Sequence, residues 1–305
     1  MANPRWTRRQ TLWRLGCAAS WLGSAAAQAA GRPGDVALMA AFTARCERLE
    51  QTLGGRIGFH AFALDGRVLP LGYREQERFA LCSTFKLLLA AAVLAEVDAG
   101  RLRLDQRVPY GKADLVPHAP HTEQHLQRGW MSVEALCAAI MLASDNPAAN
   151  LLLALLGGPA GLTRRCRDWG DPVTRLDRIE PELNSNLPGD ERDTSTPLAM
   201  AQLMRHLLGE SEALSPASRR RLLAWMQASE TGLGRLRGGL PSNWRVGDKT
   251  GTGARGAVND VLIAWPVAQP VPLLMTMYMS GSSAPTAALA AAHVTLAGAA
   301  LQTWS

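Results

Sequence analysis

Lysine is nearly absent from this 305-residue chain: of its 32 basic residues only Lys86, Lys112 and Lys249 are lysines, and arginine supplies the rest. An arginine stays protonated in proteins, whereas a lysine removed from water can lose its proton and act as a base. The scarcity therefore directs attention to the three lysines as candidates for proton transfer. Two of them lie in the short motifs described below.

The chain also lacks a membrane span and a metal-binding pattern. After residue 30, no uncharged apolar stretch reaches the roughly 18 residues that a transmembrane helix needs. The histidines and cysteines match no metal-ligand spacing, so neither a metal nor an organic cofactor is expected. Buried free thiols are expected, with oxidation of one pair left open, for the cysteines of the mature chain: Cys46, Cys82, Cys137 and Cys166.

The first 30 residues hold four arginines and no acidic residue, followed by an apolar run that ends in small residues. This composition predicts a signal peptide over residues 1–29, cleaved near Ala27-x-Ala29, and hence a periplasmic protein without a stable membrane anchor. Arg8-Arg9 resembles a twin-arginine export signal, and an ordinary basic segment is the alternative. Cleavage removes Cys17 and lowers the formal net charge from +6 to about +2, so nucleic acid is not an expected partner.

Hydrophobic periodicity predicts the order of helices and strands. Helix-type spacing occurs at both ends and in the middle of the chain, over residues 33–53, 83–228 and 285–301. Strand-type runs lie between these regions, over residues 56–64, 68–73, 244–251, 258–265 and 271–279. The first two strands are separated by Asp65-Gly66, which is a hairpin signature.

This order predicts an α/β protein of the α+β sandwich kind. Strands from both chain ends would form one largely antiparallel sheet flanked by the terminal helices, with an all-helical lobe inserted. The expected division is a signal peptide at 1–29, an α/β lobe made of 30–82 and 230–305, and a helical lobe at 83–229. The two lobes would form one catalytic domain with the active site in the cleft between them.

Ser83-Thr84-Phe85-Lys86 begins a helical run, which puts Lys86 one turn after Ser83 on the same face. A serine hydroxyl is a weak nucleophile until a base takes its proton, and this amine is within reach. The helix N-terminus would also favour a developing oxyanion. Taken alone, such a pattern more often marks an N-cap serine and a solvated lysine.

Ser144-Asp145-Asn146 follows one predicted helix, and Pro147 suits the first turn of the next. The three residues are therefore expected to form a short turn that presents side chains into a cleft. Ser144 could relay a proton, Asn146 could bind a substrate amide, and Asp145 would hold the turn together. An ordinary polar turn is the alternative.

Lys249-Thr250-Gly251-Thr252-Gly253 lies in a strand context, where glycines allow a ligand or another backbone to approach closely. A strand edge can pair with an amide-like substrate and donate an N–H to its carbonyl oxygen. Lys249 and Thr250 offer a cation and a hydroxyl to a carboxylate. The alternative is a twisted strand that ends in a glycine turn.

The three motifs together are far more specific than any one of them. The order Ser-x-x-Lys, Ser-Asp-Asn, Lys-Thr-Gly is typical of the penicillin-recognising serine enzymes. Over essentially the whole mature chain the sequence resembles one branch of these, the class A β-lactamases. The discriminating segment runs from Arg178 through Glu180-Pro181 and Asn184 to Asp193, and it resembles the omega loop of that family.

The resemblance implies roles for the residues of this segment. Glu180 and Asn184 would hold the hydrolytic water, and Glu180 would take its proton. Arg178 and Asp193 would clamp the ends of the loop. The Glu180-Pro181 peptide bond is expected to be cis, an isomer that proline makes accessible.

Further positions match the family or depart from it. Arg235 falls where many members keep an arginine that helps Lys249 to bind the substrate carboxylate, and the other family position for this arginine holds Val258. His118 falls where members have an aromatic gatekeeper at the cleft mouth, with a surface histidine as the alternative. Neither family disulfide is supported, because the expected partners of Cys82 and Cys137 are replaced by the residues Gly253 and Ala90.

The resemblance implies a two-step hydrolysis of β-lactams, without a cofactor, by a monomer. Ser83 would be acylated while Lys86, or Glu180 through water, takes its proton; the backbone N–H groups of Ser83 and Thr252 would hold the oxyanion, and Ser144 would protonate the leaving nitrogen. The alternatives are a cell-wall peptidase, which lacks the Glu180 loop, and a β-lactam sensor, which is normally attached to signalling segments.

Overall fold

A computed structural model describes residues 33–66, 68–209, 211–267 and 271–304. The expected signal peptide, with Arg8-Arg9 and Cys17, lies outside these residues. Among the described helices, none is both long and apolar enough to cross a bilayer.

The described residues form eight α-helices and nine strands, joined by turns and short 3₁₀ segments. The helices are α1 (Pro33–Leu53), α2 (Phe85–Asp98), α3 (Val133–Leu142), α4 (Asn146–Leu155), α5 (Gly158–Asp168), α6 (Pro197–Leu208), α7 (Pro216–Gln227) and α8 (Thr286–Trp304). The strands are β1 (Arg56–Ala63), β2 (Leu71–Tyr73), β3 (Phe79–Ala80), β4 (Arg107–Pro109), β5 (Trp130–Ser132), β6 (Thr194–Ser195), β7 (Arg245–Thr252), β8 (Val258–Trp265) and β9 (Leu273–Ser280).

The main sheet has five strands in the order β2-β1-β9-β8-β7, and every neighbouring pair is antiparallel. Strands from the two halves of the chain meet where Ile57 of β1 lies opposite Met279 of β9. β8 and β9 are buried almost throughout, because helices cover both faces of the sheet. The predicted antiparallel sheet built from both chain ends is confirmed.

The two faces of the sheet bury different cores. On one face α1 and α8 pack against the strands through a core that includes Phe42, Phe59 and Leu296. On the other face the core of the helical segment continues into the sheet through Leu274 and Tyr278. The helical segment and the sheet therefore share one hydrophobic interior.

α2 runs through the centre of the helical segment. Every residue from Phe85 to Leu94 is buried, which is the burial expected of a helix that is apolar on all sides. Lys86 is the charged exception within this buried run. Its position near the N-terminal end of the core helix removes its amine from bulk water, and this burial governs its chemistry.

The structure differs from the expectation of an all-helical lobe in residues 83–229. β4 pairs with β5 inside this segment, β6 pairs with β3, and α6 packs on β1 and β9 of the main sheet. The predicted hairpin is present, since β1 and β2 pair antiparallel, but its loop is longer than expected because β1 ends at Ala63 and β2 begins only at Leu71. Gly66 does turn the chain, with a φ of +71°, but Pro70 offers no N–H to extend β2 backwards.

The four cysteines of the described chain are buried free thiols that lie in separate elements. Burial raises the pKa of the Cys46, Cys82 and Cys166 thiols to about 12, so these groups are protonated at neutral pH. A Cβ atom at Gly253 would lie only 2.7 Å from Sγ of Cys82. The site opposite Cys82 is thus close enough to touch it but carries no sulfur.

Candidate active site

Ser83 lies in a 3₁₀ turn, Cys82–Thr84, that leads directly into α2. Cys82 has a φ of +44°, and the side-chain amide of Asn259 donates to the Ala80 carbonyl oxygen at 2.8 Å, which ties the turn to β8. β7 passes against the same turn: a Cβ atom at Gly251 would lie 3.1 Å from the Ser83 nitrogen. Glycine at this position therefore lets the strand edge approach the serine backbone.

Lys86 brings four groups of the site together. Its Nζ is 3.0 Å from Ser83 Oγ, 2.6 Å from Asn146 Oδ1, 2.7 Å from the Ser144 carbonyl oxygen and 2.9 Å from Glu180 Oε1. Burial lowers the pKa of the Lys86 amine, and the nearby carboxylate of Glu180 acts in the opposite direction. An amine in this position can exchange a proton with the Ser83 hydroxyl.

Ser144, Asp145 and Asn146 form the turn between α3 and α4. Ser144 adopts a φ of +62°, and Asp145 caps α4 by accepting a hydrogen bond from the Ala148 N–H at 2.9 Å. The other Asp145 oxygen accepts from the N–H of Thr122 at 2.9 Å. The buried Asp145 carboxylate thus holds the turn, which leaves its two neighbours free to face the cleft.

The Ser144 hydroxyl lies between two lysines. Its Oγ is 3.3 Å from Lys86 Nζ and 3.1 Å from Lys249 Nζ. Lys249 is fully buried on β7, and this burial, together with the charge of Lys86, lowers its pKa to about 7. A hydroxyl held between two amines is well placed to pass a proton.

Arg235 lies beside β7, as its sequence position before that strand predicts. Its guanidinium donates to the Gly251 and Asn259 carbonyl oxygens, at 2.8 and 2.5 Å, and to Thr252 Oγ1 at 2.6 Å. Burial lowers the pKa of this arginine. The side chain adds positive charge to the wall of the cleft next to the Lys-Thr-Gly strand.

Glu180 lies beside both Ser83 and Lys86. Its Oε1 accepts a hydrogen bond from Ser83 Oγ at 3.4 Å, and its Oε2 accepts one from Asn184 Nδ2 at 2.6 Å. The Glu180-Pro181 peptide bond is cis, and the side chain is buried. The carboxylate, the lysine amine and the serine hydroxyl therefore form one contiguous group.

The ends of the loop 178–193 are held together by a charged pair. Arg178 Nε donates to Asp193 Oδ2 at 2.5 Å, and the Asp193 carboxylate also accepts from the N–H groups of Asp177 and Arg178, at 2.7 and 2.9 Å. Asp193 is fully buried. These two residues lie at the base of the loop and not in the cleft.

Asn150 is a residue that the sequence analysis missed. Its Oδ1 accepts from the Glu180 N–H and its Nδ2 donates to the Glu180 carbonyl oxygen, both at 2.9 Å. The signal was a second asparagine one turn after Asn146 in an otherwise apolar helix, where both side chains share a face. α4 thereby holds the main chain of Glu180 in place.

The cleft between the sheet and the helical segment has a volume of about 290 Å³. His118 lies at its rim, exposed, with a φ of +67° and Nε2 2.8 Å from the Ala143 carbonyl oxygen. Residues from both sides line the cleft: Ser83, His118, Ser144, Asn146, Asn184, Thr231, Arg235, Thr250, Gly251 and Thr252. In the part of the chain that the structure describes, no group of three or more His, Cys, Asp or Glu side chains could hold a metal ion.

Comparison with known proteins identifies the family. The sequence model of the Beta-lactamase enzyme family matches residues 41–304. The chain belongs to this family. Beta-lactamase L2 of Stenotrophomonas maltophilia is 46% identical over 259 residues, which cover 84% of this chain and 82% of that protein. Beta-lactamase Toho-1 of Escherichia coli is 45% identical over 237 residues, which cover 77% of this chain and 79% of that protein.

Solved structures place the chain among the class A enzymes. The class A β-lactamase of the last common ancestor of Gram-negative bacteria is 50% identical, with a TM-score of 0.84 over 87% of this chain and 100% of that one. A β-lactamase from Xanthomonas campestris is 46% identical, with a TM-score of 0.84 over 88% and 99% of the two chains. This class A β-lactamase hydrolyses β-lactam antibiotics and thereby confers resistance. The peptidase and sensor alternatives are not favoured.

Proposed function

We propose that this β-lactamase opens the lactam ring through an acyl-enzyme on Ser83 and releases it with a water activated by Glu180. One observation carries the proposal: an amine and a carboxylate both lie within reach of the same serine oxygen, at 3.0 and 3.4 Å. A hydroxyl that has two proton acceptors beside it can serve as a nucleophile, and the carboxylate of the two can also serve a second, hydrolytic step.

In acylation, Ser83 Oγ attacks the lactam carbonyl carbon and its proton passes to Lys86, or to Glu180 through a water. The burial that lowers the Lys86 pKa supports the amine as acceptor, and the 2.9 Å contact between Lys86 and Glu180 lets either group receive the proton. The backbone N–H groups of Ser83 and Thr252 would hold the oxyanion. The close passage of Gly251 by the serine turn supports this pairing.

Breakage of the carbon–nitrogen bond requires a proton on the leaving nitrogen. The Ser144 hydroxyl would donate it and recover a proton from one of its two lysine neighbours. Its distances of 3.3 Å to Lys86 Nζ and 3.1 Å to Lys249 Nζ support this relay. The acyl-enzyme then carries an opened ring with a neutral amine.

In deacylation, Glu180 takes a proton from a water that attacks the ester carbonyl carbon. The bond from this carbon to Ser83 Oγ then breaks, and the proton returns from Glu180 to Oγ directly or through Lys86. Asn184 would share this water: within the described residues its Oδ1 is buried and accepts no hydrogen bond, while its Nδ2 holds the glutamate. The Arg178–Asp193 pair would keep the loop closed so that the carboxylate stays beside the ester.

Substrate binding would use both walls of the cleft. Lys249, Thr250, Thr252 and Arg235 offer cations and hydroxyls to the carboxylate of the β-lactam, and Gly251 keeps the strand edge open. Asn146 would bind the side-chain amide of the substrate across the cleft. His118, which is exposed at the rim, would contact the variable part of the antibiotic.

We further propose how the chain is processed, where it works and how its two lobes act together. The mature enzyme would begin near residue 30, after removal of residues 1–29, and would work in the periplasm as a monomer without a membrane anchor. The basic, acid-free N-terminal segment supports this. The lobes 30–82 with 230–305 and 83–229 would act as one catalytic domain, as their shared core suggests.

A chromogenic cephalosporin tests the mechanism. The wild-type enzyme should turn over continuously, Ser83→Ala should not react, and Glu180→Ala should give one stoichiometric burst with a stable acyl-enzyme in the intact mass spectrum. The substitution Glu123→Ala on the surface is the matched control and should behave as wild type. A Glu180→Ala enzyme that deacylates at the normal rate would exclude Glu180 as the activating base.

A further inference from the structure

The hydroxyl of Thr231 contacts one of the substrate-binding groups of the Lys-Thr-Gly strand. Thr231 Oγ1 lies 2.6 Å from Thr250 Oγ1, and both residues line the cleft. We propose that Thr231 is a positioning residue, which turns the Thr250 hydroxyl toward the carboxylate of the β-lactam. The proposal rests on the substrate-binding role of Thr250 proposed above, and Thr231 lies outside all the motifs.

The loop that carries Thr231 is pressed onto β7. A Cβ atom at Gly232 would lie 1.7 Å from Asp248 Oδ2, so only glycine allows the loop this close to the strand. The Glu230 N–H donates to the Leu142 carbonyl oxygen at 3.1 Å, which fixes the loop to the end of α3. Thr231 is therefore held against Thr250 by its backbone, even though much of its own surface is exposed.

A short chain of hydroxyls runs from the interior to the cleft. Ser229 Oγ donates to Asp248 Oδ2 at 3.3 Å and lies 3.4 Å from Thr231 Oγ1. Asp248 is fully buried and its other oxygen is held by Arg237. The Ser229 hydrogen is thus committed to the carboxylate, and the hydrogen of Thr231 is left for one of its two hydroxyl neighbours.

Distance and hydrogen count decide where this hydrogen goes. The contact to Thr250 at 2.6 Å is much shorter than the contact to Ser229 at 3.4 Å, so donation to Thr250 is the stronger bond. A hydroxyl has a single hydrogen and accepts through its lone pairs. When Thr231 donates to Thr250, the hydrogen of Thr250 is free to point into the cleft.

A carboxylate accepts hydrogen bonds and donates none, so it selects this arrangement. The residue Thr250 is only 5% exposed, so bulk water is a poor substitute for Thr231 as the donor to its hydroxyl. Donation from Thr231 also polarises the Thr250 hydroxyl and strengthens its bond to the substrate. Loss of the Thr231 hydroxyl should therefore weaken substrate binding more than the chemical steps.

Three variants and two probes test the inference. Thr231→Val removes the hydroxyl at nearly constant shape, Thr231→Ser retains it, and Thr295→Val makes the same change on the exposed side of α8. The probes are a chromogenic cephalosporin and the methyl ester of the same compound, which lacks the charged acceptor. Thermal unfolding of each variant checks that the fold is kept.

With the free acid, Thr231→Val should raise KM about five-fold, the effect of one ordinary hydrogen bond, while kcat changes less than about two-fold. With the ester, the KM of Thr231→Val should equal the KM of the wild type for the same ester. Thr231→Ser and Thr295→Val should match the wild type with both probes. An unchanged KM for the acid, an equal rise for acid and ester, or no rescue by serine would overturn the proposal.

A double-substitution cycle gives an answer that does not depend on the ester. In a Thr250→Val background, Thr231→Val should have no further effect on KM, whereas a full additional five-fold loss would mean that Thr231 acts independently. Ser83→Ala, measured beside these variants, separates the two proposals. Turnover that survives in Ser83→Ala refutes the proposed nucleophile, whereas a dead Ser83→Ala with an unaffected Thr231→Val refutes only the role of Thr231.

Discussion

Lys249 should give the reaction a limit at alkaline pH. Its amine is fully buried on β7, 3.1 Å from Ser144 Oγ, and burial with the charge of Lys86 lowers its pKa to about 7. The protonated form, which would bind the substrate carboxylate, is present below that pH and is lost as the pH rises through it. A bound carboxylate favours the charged amine, so the pKa should be higher in the complex than in the free enzyme.

The size of the effect follows from the bond that is lost. A hydrogen bond to a charged group contributes roughly 1.5–3 kcal/mol, which corresponds to about a 10- to 150-fold change in affinity. Because kcat/KM reports the free enzyme, it should fall about ten-fold per pH unit above about pH 7 until this contribution is exhausted. kcat reports the complex, so its decline should begin at a higher pH.

The assay is a pH profile of kcat/KM between about pH 5.5 and 9.5 for a carboxylated β-lactam. Lys249→Arg is the informative variant, because arginine keeps its charge over this range and should remove the bend near pH 7 even if its activity is lower. A flat wild-type profile, or a Lys249→Arg profile with the same bend, would show that the titration of Lys249 does not limit the reaction.

Three further outcomes are expected. Asn150→Ala removes two hydrogen bonds to the Glu180 backbone and should slow deacylation at least about ten-fold, seen as an acylation burst by stopped flow, while Gln202→Ala should not. Asp193→Ala removes the buried carboxylate that accepts from the Arg178 guanidinium and from two backbone N–H groups, and leaves Arg178 only the more distant Asp190, at 3.7 Å. It should lower the free energy of unfolding in urea by about 3 kcal/mol, whereas Asp105→Ala, from an exposed pair, should leave it essentially unchanged. Burial lowers the pKa of His293 to about 3, so between about pH 6 and 3 the unfolded chain binds one more proton. As the pH is lowered through this range, the free energy of unfolding of the wild type should decrease more steeply than that of His293→Gln, by up to about 1.4 kcal/mol per pH unit. His206→Gln should show the same slope as the wild type.

Local patterns in the sequence were sufficient for the sheet and for most of the site. β1 and β8 are buried on both faces, so they show as short runs of mainly apolar residues, whereas α1 buries one side only and shows helical spacing. Two motifs marked Ser83, Lys86, Ser144 and Asn146 because they put reactive groups next to a turn or helix end, and the third marked Lys249 because it puts a lysine and a hydroxyl beside glycines in a strand. The short strands β4 and β6 were missed, since two or three residues carry no period.

Asn150 shows why part of the site could not be predicted. Its partner Glu180 is 30 positions away, and the bond between them exists only because α4 and the loop 178–193 pack together. Thr231 is a similar case, since its contact with Thr250 depends on Gly232 lying against Asp248. Neither residue has a neighbour in the chain that would mark it as part of a site.

The sequence by itself determined which groups could do chemistry: one serine with a lysine a turn later, one glutamate in a loop closed by opposite charges, and three lysines where arginine is the rule. Only the tertiary structure decided their protonation and alignment. Burial in the shared core lowers the pKa of Lys86 and of Lys249, and packing brings Glu180 to within 3.4 Å of Ser83. The physical reason is that residue type sets what a group can donate or accept, whereas desolvation and distance, which set when it does so, arise from segments far apart in the chain.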